Sequence, residues 1–401
     1  MLARLAVRRR RPVVDIGPID LYLNPYPVYR RLRQEQPVAY APALRHYAGQ
    51  EGAYWLVSRW DDVVQVLKDD DTYASAPEPD DLPAGFRGAL PHLDGERHGQ
   101  VRGVMQPVCT PRCAGELAEG FARATADGLI DELEGVEDAD LIDAYLEPFA
   151  ALTIARLLGL QNVPTDLLRT WFDHLGAYFV GELFPRNPDL DREIDGALLA
   201  GLRHAADDGG SLLAAMANAP ANGVPLTDDE MLGNAKFFAA AGVHELCDLV
   251  AHTLVGLFTR PEQLSEVLAD PALAKAAVEE GARWSSPVGM VPRTTTAPAE
   301  LAGVRIPRGA YVAALIASAN RDDAHWTDPA TFDIHRDEGM HLAYASGAHF
   351  CLGAWVARAT ARIALERLVA RLPRIRLDQD DQLIVTGWRF RDVRRLPAEW
   401  S

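Results

Sequence analysis

The longest hydrophobic pattern in the chain begins at Thr227 and continues to about Phe258. Apolar residues occupy almost every side of the helix that this spacing predicts, and Arg260-Pro261 ends it. Thr227 and Glu230 have the spacing of a capping box, in which each side chain satisfies a backbone N–H of the other residue. At about 1.5 Å per residue the helix is roughly 45–48 Å long. Because a helix that is apolar all round must be buried in a large core, we predict one long central helix.

Shorter patterns predict a mostly α chain with small β-sheets. Apolar positions recur every three to four residues from Asp140 to Leu160, with Pro148 as the expected break between two helices. A last helix is predicted from Leu352 to Leu372. Its inward positions are predicted to be Trp355, Ala359, Ile363, Leu368 and Leu372. The other predicted elements are a helix around Val28, Tyr29 and Leu32, strands at Val38, Tyr40 and Tyr54–Val57, and loops at 76–90 and 218–225.

The composition excludes several classes of protein. The chain of 401 residues has 48% hydrophobic and 24% charged residues, which is the composition of an ordinary globular protein. Wholesale disorder is therefore excluded. Its length alone suggests two or three domains. The formal net charge of −17 argues against nucleic acid as the main partner. No stretch approaches the roughly 18 apolar residues that span a bilayer, and no secretory signal is seen, so we expect a cytoplasmic protein without a membrane segment.

Four cysteines are too few for a disulfide framework. Cys109 and Cys113 lack a second pair that would complete a zinc site, so they are predicted to be core or surface thiols. Cys247 lies in an apolar stretch and is predicted to be a packed thiol. Cys351 differs because it lies between a loop of small residues and the last predicted helix. The start of a helix lowers the pKa of a thiol and stabilises its thiolate.

Two glycines flank this cysteine. Gly347 and Gly353 permit close backbone approach, as a flat cofactor lying over the loop would require. A buried structural cysteine is the alternative interpretation. A catalytic cysteine nucleophile is disfavoured, because no Asn or Asp that could orient a base is evident.

Residues 344–353 resemble the haem-binding loop of the cytochrome P450 family, F-G-x-G-x-H-x-C-x-G. Gly347, His349, Cys351 and Gly353 match this motif, whereas Tyr and Ala replace its first Phe and Gly. The resemblance implies the cytochrome P450 fold, with the long central helix over a buried haem, and haem b (Fe-protoporphyrin IX) as the cofactor. It also implies that Cys351 is the metal ligand, a thiolate that favours cleavage of the O–O bond of dioxygen.

An earlier segment matches the family's H-x-x-x-R motif with His98 and Arg102. Haem carboxylates are anions in a largely buried site, so they need cationic or hydrogen-bonding partners. By resemblance these partners are His98, Arg102, Arg293 and His341. Surface charges, or histidines bonded elsewhere, are the alternative interpretation of each.

Two further motifs follow in the order that the family requires. Glu280 and Arg283 match its E-x-x-R helix, on which residues three apart share a face and can pair, and Arg336 ends a P-x-x-F-x-x-x-R segment. The resemblance gives these three residues a structural role, as an ion network around the cysteine loop. Since the motifs connect nearly the whole chain to one cofactor, we expect a single domain over residues 16–401, after a basic, disordered tail over residues 1–15.

The central helix departs from the family at one turn. Most members have A-G-x-[D/E]-T, whose acid and alcohol organise water for proton delivery to dioxygen; here Gly242 is followed by His244 and Glu245. The acid has moved by one residue, about 100° around the helix, and Thr253, two turns further on, cannot replace the missing alcohol. In one interpretation Glu245 is the polar catalytic group, with His244 tuning or relaying protons. In the other, Glu245 bonds the backbone or the substrate, and water alone carries the protons.

Bacterial aromatic O-demethylases of the family, which act on small methoxyphenols, are similar at this turn. They share a G-x-x-E turn without threonine and a C-terminal segment like residues 387–391, where the family points a side chain into the substrate pocket. The predicted pocket residues, each with core packing as the alternative, are Trp171, Phe172, Phe179, Val291 and Phe390. The loop at 76–90, which would form the main substrate contact, differs from those enzymes.

The resemblance implies a monooxygenase that inserts one oxygen atom from O2 into a small or medium organic substrate, expected to be aromatic, by hydroxylation or O-demethylation. The alternatives are a cytochrome P450 tailoring enzyme that couples aromatic rings or nitrates, and a haem sensor or carrier without enzymatic activity. Because no flavin or nicotinamide motif is present, electrons are expected from a separate ferredoxin or flavin/iron–sulfur reductase. We expect this partner to dock near the Cys351 loop, where an acidic surface would meet Arg102, Arg358 and Arg362.

Overall fold

The computed structural model is mostly helical with small β-sheets, which confirms the predicted fold class. It describes residues 12–44, 53–75, 85–86, 88–180, 187–204, 210–219, 223–379 and 381–400. Most of the predicted loop at 76–90 and part of the loop at 218–225 lie outside these residues.

Helices dominate the described part of the chain. The α-helices are α1 (Pro18–Tyr22), α2 (Tyr26–Glu35), α3 (Trp60–Lys68), α4 (Gly95–Met105), α5 (Pro111–Leu117), α6 (Arg123–Asp131), α7 (Glu147–Leu158), α8 (Thr165–Val180), α9 (Pro188–His204), α10 (Leu212–Ala217), α11 (Asp228–Phe258), α12 (Pro261–Ala269), α13 (Ala274–Trp284), α14 (Ile316–Ala319) and α15 (Ala354–Arg371). Short 3-10 turns lie at Leu90–His92, Gln106–Cys109, Pro271–Leu273 and Gly347–His349, and π-helical turns at Ala118–Ala122 and Ile142–Leu146.

The strands are short and form small sheets. They are β1 (Val38–Ala41), β2 (Tyr54–Val57), β3 (Tyr73–Ala74), β4 (Asp138–Asp140), β5 (Val291–Thr295), β6 (Ala299–Leu301), β7 (Val304–Ile306), β8 (Tyr311–Ala314), β9 (Arg376–Leu377), β10 (Ile384–Thr386), β11 (Asp392–Arg395) and β12 (Pro397–Glu399). The largest sheet has the order β1-β2-β8-β5-β3, in which only β2 and β8 run parallel. The smaller sheets are β4-β12-β9, β10-β11 and β6-β7.

The predicted central helix is α11, and its start is capped as expected. Thr227 Oγ1 accepts a hydrogen bond from the backbone N–H of Glu230 at 3.2 Å, and Glu230 Oε2 accepts one from the N–H of Thr227 at 2.8 Å. The helix packs against α7, α8, α13 and α15. Among the described residues it alone has the length and hydropathy of a membrane span, but 72% of that stretch is buried inside the protein. It is therefore the core helix that the pattern predicts.

The break expected at Pro148 is wrong. The π-helical turn Ile142–Leu146 continues directly into α7, and Leu146 at the junction keeps right-handed helical angles (φ −73°, ψ −45°). Pro148 lies in the first turn of α7, just after the π turn has shifted the hydrogen-bond pattern. The helix therefore changes type at this place and does not end.

The last predicted helix begins two residues later than expected, as α15. Ile363 and Leu368 are buried as predicted, whereas Ala359 and Leu372 are only partly buried. Trp355 is wrong as an inward position, because 46% of it is exposed. The buried face starts at Ala354 and Val356, and one step along a helix turns a side chain by about 100°.

The N-terminal segment does not match the expected disordered tail where the structure describes it. Residues 12–15 lie beside β1, where Pro12 O accepts from Tyr40 N at 2.8 Å and Val14 N donates to Tyr40 O at 2.9 Å. These bonds pair backbone groups of β1 at the outer edge of the sheet. The next residue, Ile16, is fully buried. Residues 1–11, with most of the basic charge, lie outside the described part of the chain.

The core has a helical part and two smaller parts on the faces of the five-stranded sheet. Helix α11 crosses the helical part from end to end. The loop before α15 lies under α11, and β5 lies beside both. These three elements, with the 3-10 turn at Leu90–His92, position the site.

Candidate functional site

A cavity of about 350 Å³ lies between α11 and the loop before α15. Its walls are mainly apolar. Cys351 opens into this cavity, which is why its side chain is exposed although it lies deep in the fold.

The cysteine loop is tightly folded. Cys351 N donates to Tyr344 O at 2.9 Å, and Phe350 N donates to Gly347 O at 3.1 Å. Gly347 has φ +78°, and a Cβ there would overlap the carbonyl oxygen of Leu67 at the end of α3. Gly347 does not line the cavity, so its need for glycine comes from packing on α3. Gly353 does line the cavity, as expected of a glycine that a flat cofactor approaches.

The groups around the Cys351 thiol act on its pKa in opposite directions. Burial raises its pKa, although the backbone N–H of Gly353 and the charges of Arg102 and Arg358 act in the opposite direction. Glu245, across the cavity, also raises it. Helix α15 begins only at Ala354, so the start of the helix contributes one N–H near Cys351, and the lowered pKa that the sequence predicts stays a prediction.

Polar hydrogen-bonding groups collect at one edge of the cavity. His98, Arg102, Arg293 and His349 all line it. Within the described part of the chain, His98 Nε2 and Arg293 Nε and Nη2 are buried without a hydrogen-bond partner. Tyr344 OH is also buried without a hydrogen-bond partner.

Electrostatics at this edge favour an anionic ligand. Burial, with the nearby His349 and Arg102, lowers the pKa of His98 to about 4, and burial lowers the pKa of Arg293 to about 10. The ring of His349 lies 4.1 Å from that of His98, and its Nε2 is 3.1 Å from Asp94 Oδ1. Buried donors without partners are costly, and carboxylates would supply the missing acceptors and charge. The residues at this edge therefore fit the two carboxylates of haem.

His341 is not at this edge. Its Nε2 is 3.1 Å from Glu279 Oε2, and its Nδ1 accepts from Ala343 N at 3.1 Å. The predicted contact with a haem carboxylate is therefore wrong, because Glu279 on α13 binds the imidazole outside the cavity.

The three residues of the predicted ion network do meet. Arg283 Nε and Nη2 each lie 2.7 Å from a carboxylate oxygen of Glu280, and Arg336 Nε lies 3.4 Å from Glu280 Oε1. Arg283 Nη1 also donates to the carbonyl oxygens of Asn320 and Pro329. These bonds connect α13 to the segments that precede the cysteine loop.

Helix α11 presents Gly242 and Glu245 to the cavity, but not His244. His244 Nε2 lies 3.3 Å from the carbonyl oxygen of Phe172 on α8, in the space that Gly176 leaves by having no side chain. His244 therefore does not line the cavity, because one step along the helix turns it toward α8, and its predicted tuning or relaying of protons stays a prediction.

Glu245 is a polar group in an apolar wall. Burial, together with the nearby Asp392, raises its pKa to about 8. At neutral pH this carboxyl therefore holds a proton that it can donate. Thr253 does not line the cavity; its hydroxyl donates to Leu249 O at 2.7 Å within α11.

Two of the predicted pocket residues, Val291 and Phe390, line the cavity. Trp171 and Phe172 do not: Trp171 Nε1 donates to Glu193 of α9 at 3.1 Å, and Phe172 is buried in the helical core. These two predictions are wrong because that face of α8 packs against neighbouring helices. The side chain of Phe179 lies outside the described part of the structure.

Sequence reasoning missed most of the wall. The missed lining residues include His92, Ile154, Phe237, Phe238, Leu246 and Val288, whereas Phe86 and Leu90 belong to the loop that was expected to contact the substrate. Phe238 precedes Gly242 by one turn of α11, so helical periodicity counted back from Gly242 would have found it. His92 had no such signal, because it reaches the cavity through a loop.

The three arginines expected to face a redox partner lie in the cavity wall or in ion pairs within the protein. Arg102 lines the cavity. Arg358 Nε lies 2.7 Å from Glu279 Oε1, and Arg362 pairs with Glu119 and Glu366. Carboxylates of the protein therefore offset the charge of Arg358 and Arg362, and docking of a partner near the Cys351 loop stays a prediction.

A long buried helix above a cysteine loop, with donors for two carboxylates at the cavity edge, is the arrangement of the haem-thiolate class. A sequence profile of the family described as Cytochrome P450 matches residues 212–384. Cytochrome P450 monooxygenase PikC of Streptomyces venezuelae is 32% identical, over 97% of this chain and 94% of PikC. Linalool 8-monooxygenase of Pseudomonas putida is 29% identical, over 90% of this chain and 93% of its own.

The fold agrees with this class. The structure of cytochrome P450 CYP109Q5 from Chondromyces apiculatus superposes with a TM-score of 0.84 at 30% identity, over 97% of this chain and 98% of that one. The chain belongs to the cytochrome P450 family. It is a P450 monooxygenase, an oxidoreductase that uses O2, an organic substrate and a redox partner with a haem-iron cofactor.

Proposed function

We propose that the protein inserts one oxygen atom from O2 into a small or medium aromatic substrate, by hydroxylation or O-demethylation. The observation that supports an aromatic substrate is the wall of the cavity. Phe86, Phe237, Phe238 and Phe390 all line it, around the space that Cys351 faces. Aromatic rings bind preferentially against other aromatic rings through offset and edge-to-face contacts.

The cofactor in this proposal is haem b, whose porphyrin has no covalent bond to the chain. Cys351 is its metal ligand, and His98, Arg102, Arg293 and His349 hold its two carboxylates. The unpartnered nitrogens of His98 and Arg293 support this role, because a carboxylate removes the cost of burying them. When bound, the haem supplies the chemistry that activates dioxygen. Glu280, Arg283 and Arg336 support the cysteine loop from outside the cavity.

In this proposal Glu245 holds the proton that the reaction consumes. Its carboxyl faces the cavity and is protonated at neutral pH, since burial raises its pKa to about 8. Glu245→Gln keeps the shape and removes the proton. We expect it to lower the fraction of NADH that appears in product several-fold, with the excess released as hydrogen peroxide. Unchanged coupling would show that water alone carries the protons and that Glu245 binds backbone or substrate.

A second candidate reaction is an oxidation other than hydroxylation, such as aromatic coupling or nitration. It is supported by the turn at Gly242, where the usual acid and threonine are absent and Thr253 bonds inside α11. Mass analysis of products separates the two reactions. Gain of one oxygen or loss of CH2 indicates insertion or demethylation, whereas loss of two hydrogens indicates coupling.

The haem-thiolate assignment is tested by spectroscopy of the protein. The reduced protein with carbon monoxide should show the shifted Soret band of a thiolate-bound haem, and Cys351→Ser should abolish it. Cys113→Ser is the control, because the Cys113 thiol donates a hydrogen bond to Pro107 O away from the cavity. An unshifted band in the wild type would refute the assignment. Substrates are then screened by spin shift with phenols, methoxyarenes and aromatic amino acids, and with terpenes, since one relative is a linalool 8-monooxygenase.

Electrons are proposed to come from a separate ferredoxin or a flavin/iron–sulfur reductase. The need for such a partner follows from the family's chemistry, and the exposed Trp355 one turn after Cys351 supports contact near the cysteine loop. A reductase with its own flavin and iron–sulfur centre, compared with a ferredoxin and ferredoxin reductase pair, identifies the kind of partner by the rate of NADH-dependent reduction.

A further inference from the structure

The polar groups of the cavity wall occur in two places. Most of them are the donors at the carboxylate edge described above. Among the described residues, two further polar groups of the wall are Glu245 on α11 and His92, which lies between Phe237 and the edge residue His349. His92 lies against Phe237 of α11, with the rings edge to face and their centroids 6.4 Å apart.

The hydrogen bonds of His92 determine what its ring can offer to a ligand. Its Nδ1 lies 3.2 Å from the carbonyl oxygen of Phe86. A carbonyl can only accept, so Nδ1 carries the proton and Nε2 of the neutral ring is an acceptor. Burial lowers the pKa of His92, which keeps the ring neutral. His92 therefore supplies a hydrogen-bond acceptor beside the aromatic residue Phe237 of the wall.

The backbone that carries His92 is fixed to the central helix. Asn234 Oδ1 accepts from Leu90 N at 2.8 Å, and Asn234 Nδ2 donates to Glu230 O at 2.7 Å and to Gly88 O at 3.2 Å. Asn234 is fully buried, so these bonds account for its amide. It is a positioning residue that holds the 3-10 turn at Leu90–His92 in one place. An acceptor held in place loses little conformational entropy when a ligand binds.

We propose that His92 determines substrate specificity, by accepting a hydrogen bond from a hydroxyl group on the aromatic ring of the substrate. The proposal rests on the aromatic substrate class proposed above and narrows it to phenols. An apolar group in place of the hydroxyl would leave Nε2 desolvated and unpaired. For that reason a site built to bind a hydroxyl rejects the analogue that lacks it.

The test compares two ligands that differ only at the hydroxyl. 4-Methoxyphenol and 4-methoxytoluene have the same shape, with a methyl group in place of O–H. Dissociation constants for the haem-containing protein are measured by calorimetry, for the wild type and for His92→Phe. We expect the wild type to bind the phenol about tenfold more tightly, which corresponds to about 1.4 kcal/mol. His92→Phe should abolish this preference by weakening the phenol alone.

Two further variants make the result specific. His92→Gln keeps an acceptor without the imidazole and should restore part of the preference for the phenol. His335→Phe is the matched control, since His335 pairs with Glu266 at the surface, and it should leave both dissociation constants unchanged.

Three results would overturn the proposal. The first is equal binding of both ligands to the wild type. The second is an equal loss of both ligands in His92→Phe, which would make His92 only part of the wall. The third is loss of haem from His92→Phe, which would place the imidazole on a haem carboxylate. If neither ligand binds the wild type, the aromatic substrate class fails as well, whereas equal binding refutes the role of His92 alone.

Discussion

Glu280 balances two arginines in the interior of the protein. The side chains of Glu280 and Arg283 are 4% and 2% exposed, and Arg336 is only 8% exposed. Removing Glu280 leaves the buried charge of Arg283 without a carboxylate, whereas Arg336 keeps its pair with Glu338 at 2.9 Å. We therefore expect Glu280→Gln to lower the free energy of unfolding by ~3–5 kcal/mol, measured by urea denaturation of the haem-containing protein.

The control for this variant is Glu262→Gln. Glu262 pairs with Arg260 at the surface, where both side chains are at least one third exposed, and such pairs contribute less than about 1 kcal/mol. Equal effects of the two substitutions would contradict the structural role of Glu280.

Glu245 makes the stability of the protein depend on pH. Its pKa is near 4.5 in the unfolded chain and about 8 in the folded state. Between these values the folded protein binds a proton that the unfolded chain releases, so stability falls as pH rises. Glu245→Gln removes this proton binding. The variant should therefore gain stability relative to the wild type by up to ~1.4 kcal/mol per pH unit from about pH 5 to pH 8.

Urea denaturation at pH 5, 6.5, 8 and 9 measures this difference. The difference in the free energy of unfolding should grow up to about pH 8 and then stay constant. Above that pH, Glu245 is ionised in both the folded and the unfolded protein. A difference that does not change with pH would show that the carboxyl is ionised in the folded protein.

At the scale of helices, the contact between α8 and α11 depends on Gly176. A Cβ at this position would overlap His244 Nε2, and the imidazole ring is held there by the carbonyl oxygen of Phe172 at 3.3 Å. Overpacking of this kind costs ~1–3 kcal/mol. We expect Gly176→Ala to lower the free energy of unfolding by that amount, with little change in substrate affinity.

The double variant with His244→Ala separates overpacking from other effects. Truncating His244 removes the overlapping ring, so the two substitutions together should cost less than the sum of their separate effects. Simple additivity in urea denaturation would show that Gly176 is needed for another reason.

The same helices show which features of the fold could be predicted. The range and cap of α11 were predictable, because an apolar run and a Thr-x-x-Glu spacing are local signals. The direction of His244 was not, because it depends on a space left by Gly176 on another helix. Pro148 misled for a related reason, since a π turn whose hydrogen bonds leave no mark in the sequence carries the helix past it.

In the candidate site, the residues that belong to sequence motifs could be predicted, whereas most residues of the cavity wall could not. Cys351, His98, Arg102 and Arg293 were located by motif spacing and do line the cavity. His341 was not placed correctly, because Glu279 on a separate helix binds its imidazole. The place of His92 depends on Asn234, more than 140 residues away in sequence, and no local pattern records such a bond.

At the scale of the whole molecule, the net charge of −17 conceals an almost balanced surface on α15. Arg123 and Arg362 both pair with Glu119 and with Glu366, across α6, α15 and the π turn at Ala118–Ala122. The arginines near the Cys351 loop suggested a surface for an acidic partner here, despite the acidic composition. The pairing of residues far apart in sequence removes most of its charge.

This balance predicts how the redox partner associates. An interface without unpaired charge attracts an acidic ferredoxin only weakly at long range, so salt has little to screen. We expect the bimolecular rate constant for reduction by such a ferredoxin to fall less than about threefold between 50 and 200 mM salt, measured by stopped-flow absorbance. Glu119→Gln should raise this constant at low salt and make its salt dependence steeper, because it leaves Arg123 and Arg362 with less compensating charge. Glu116→Gln, whose partner Arg112 is exposed on α5, should affect it less. A wild-type dependence as steep as that of Glu119→Gln would mean that the partner binds another, basic surface.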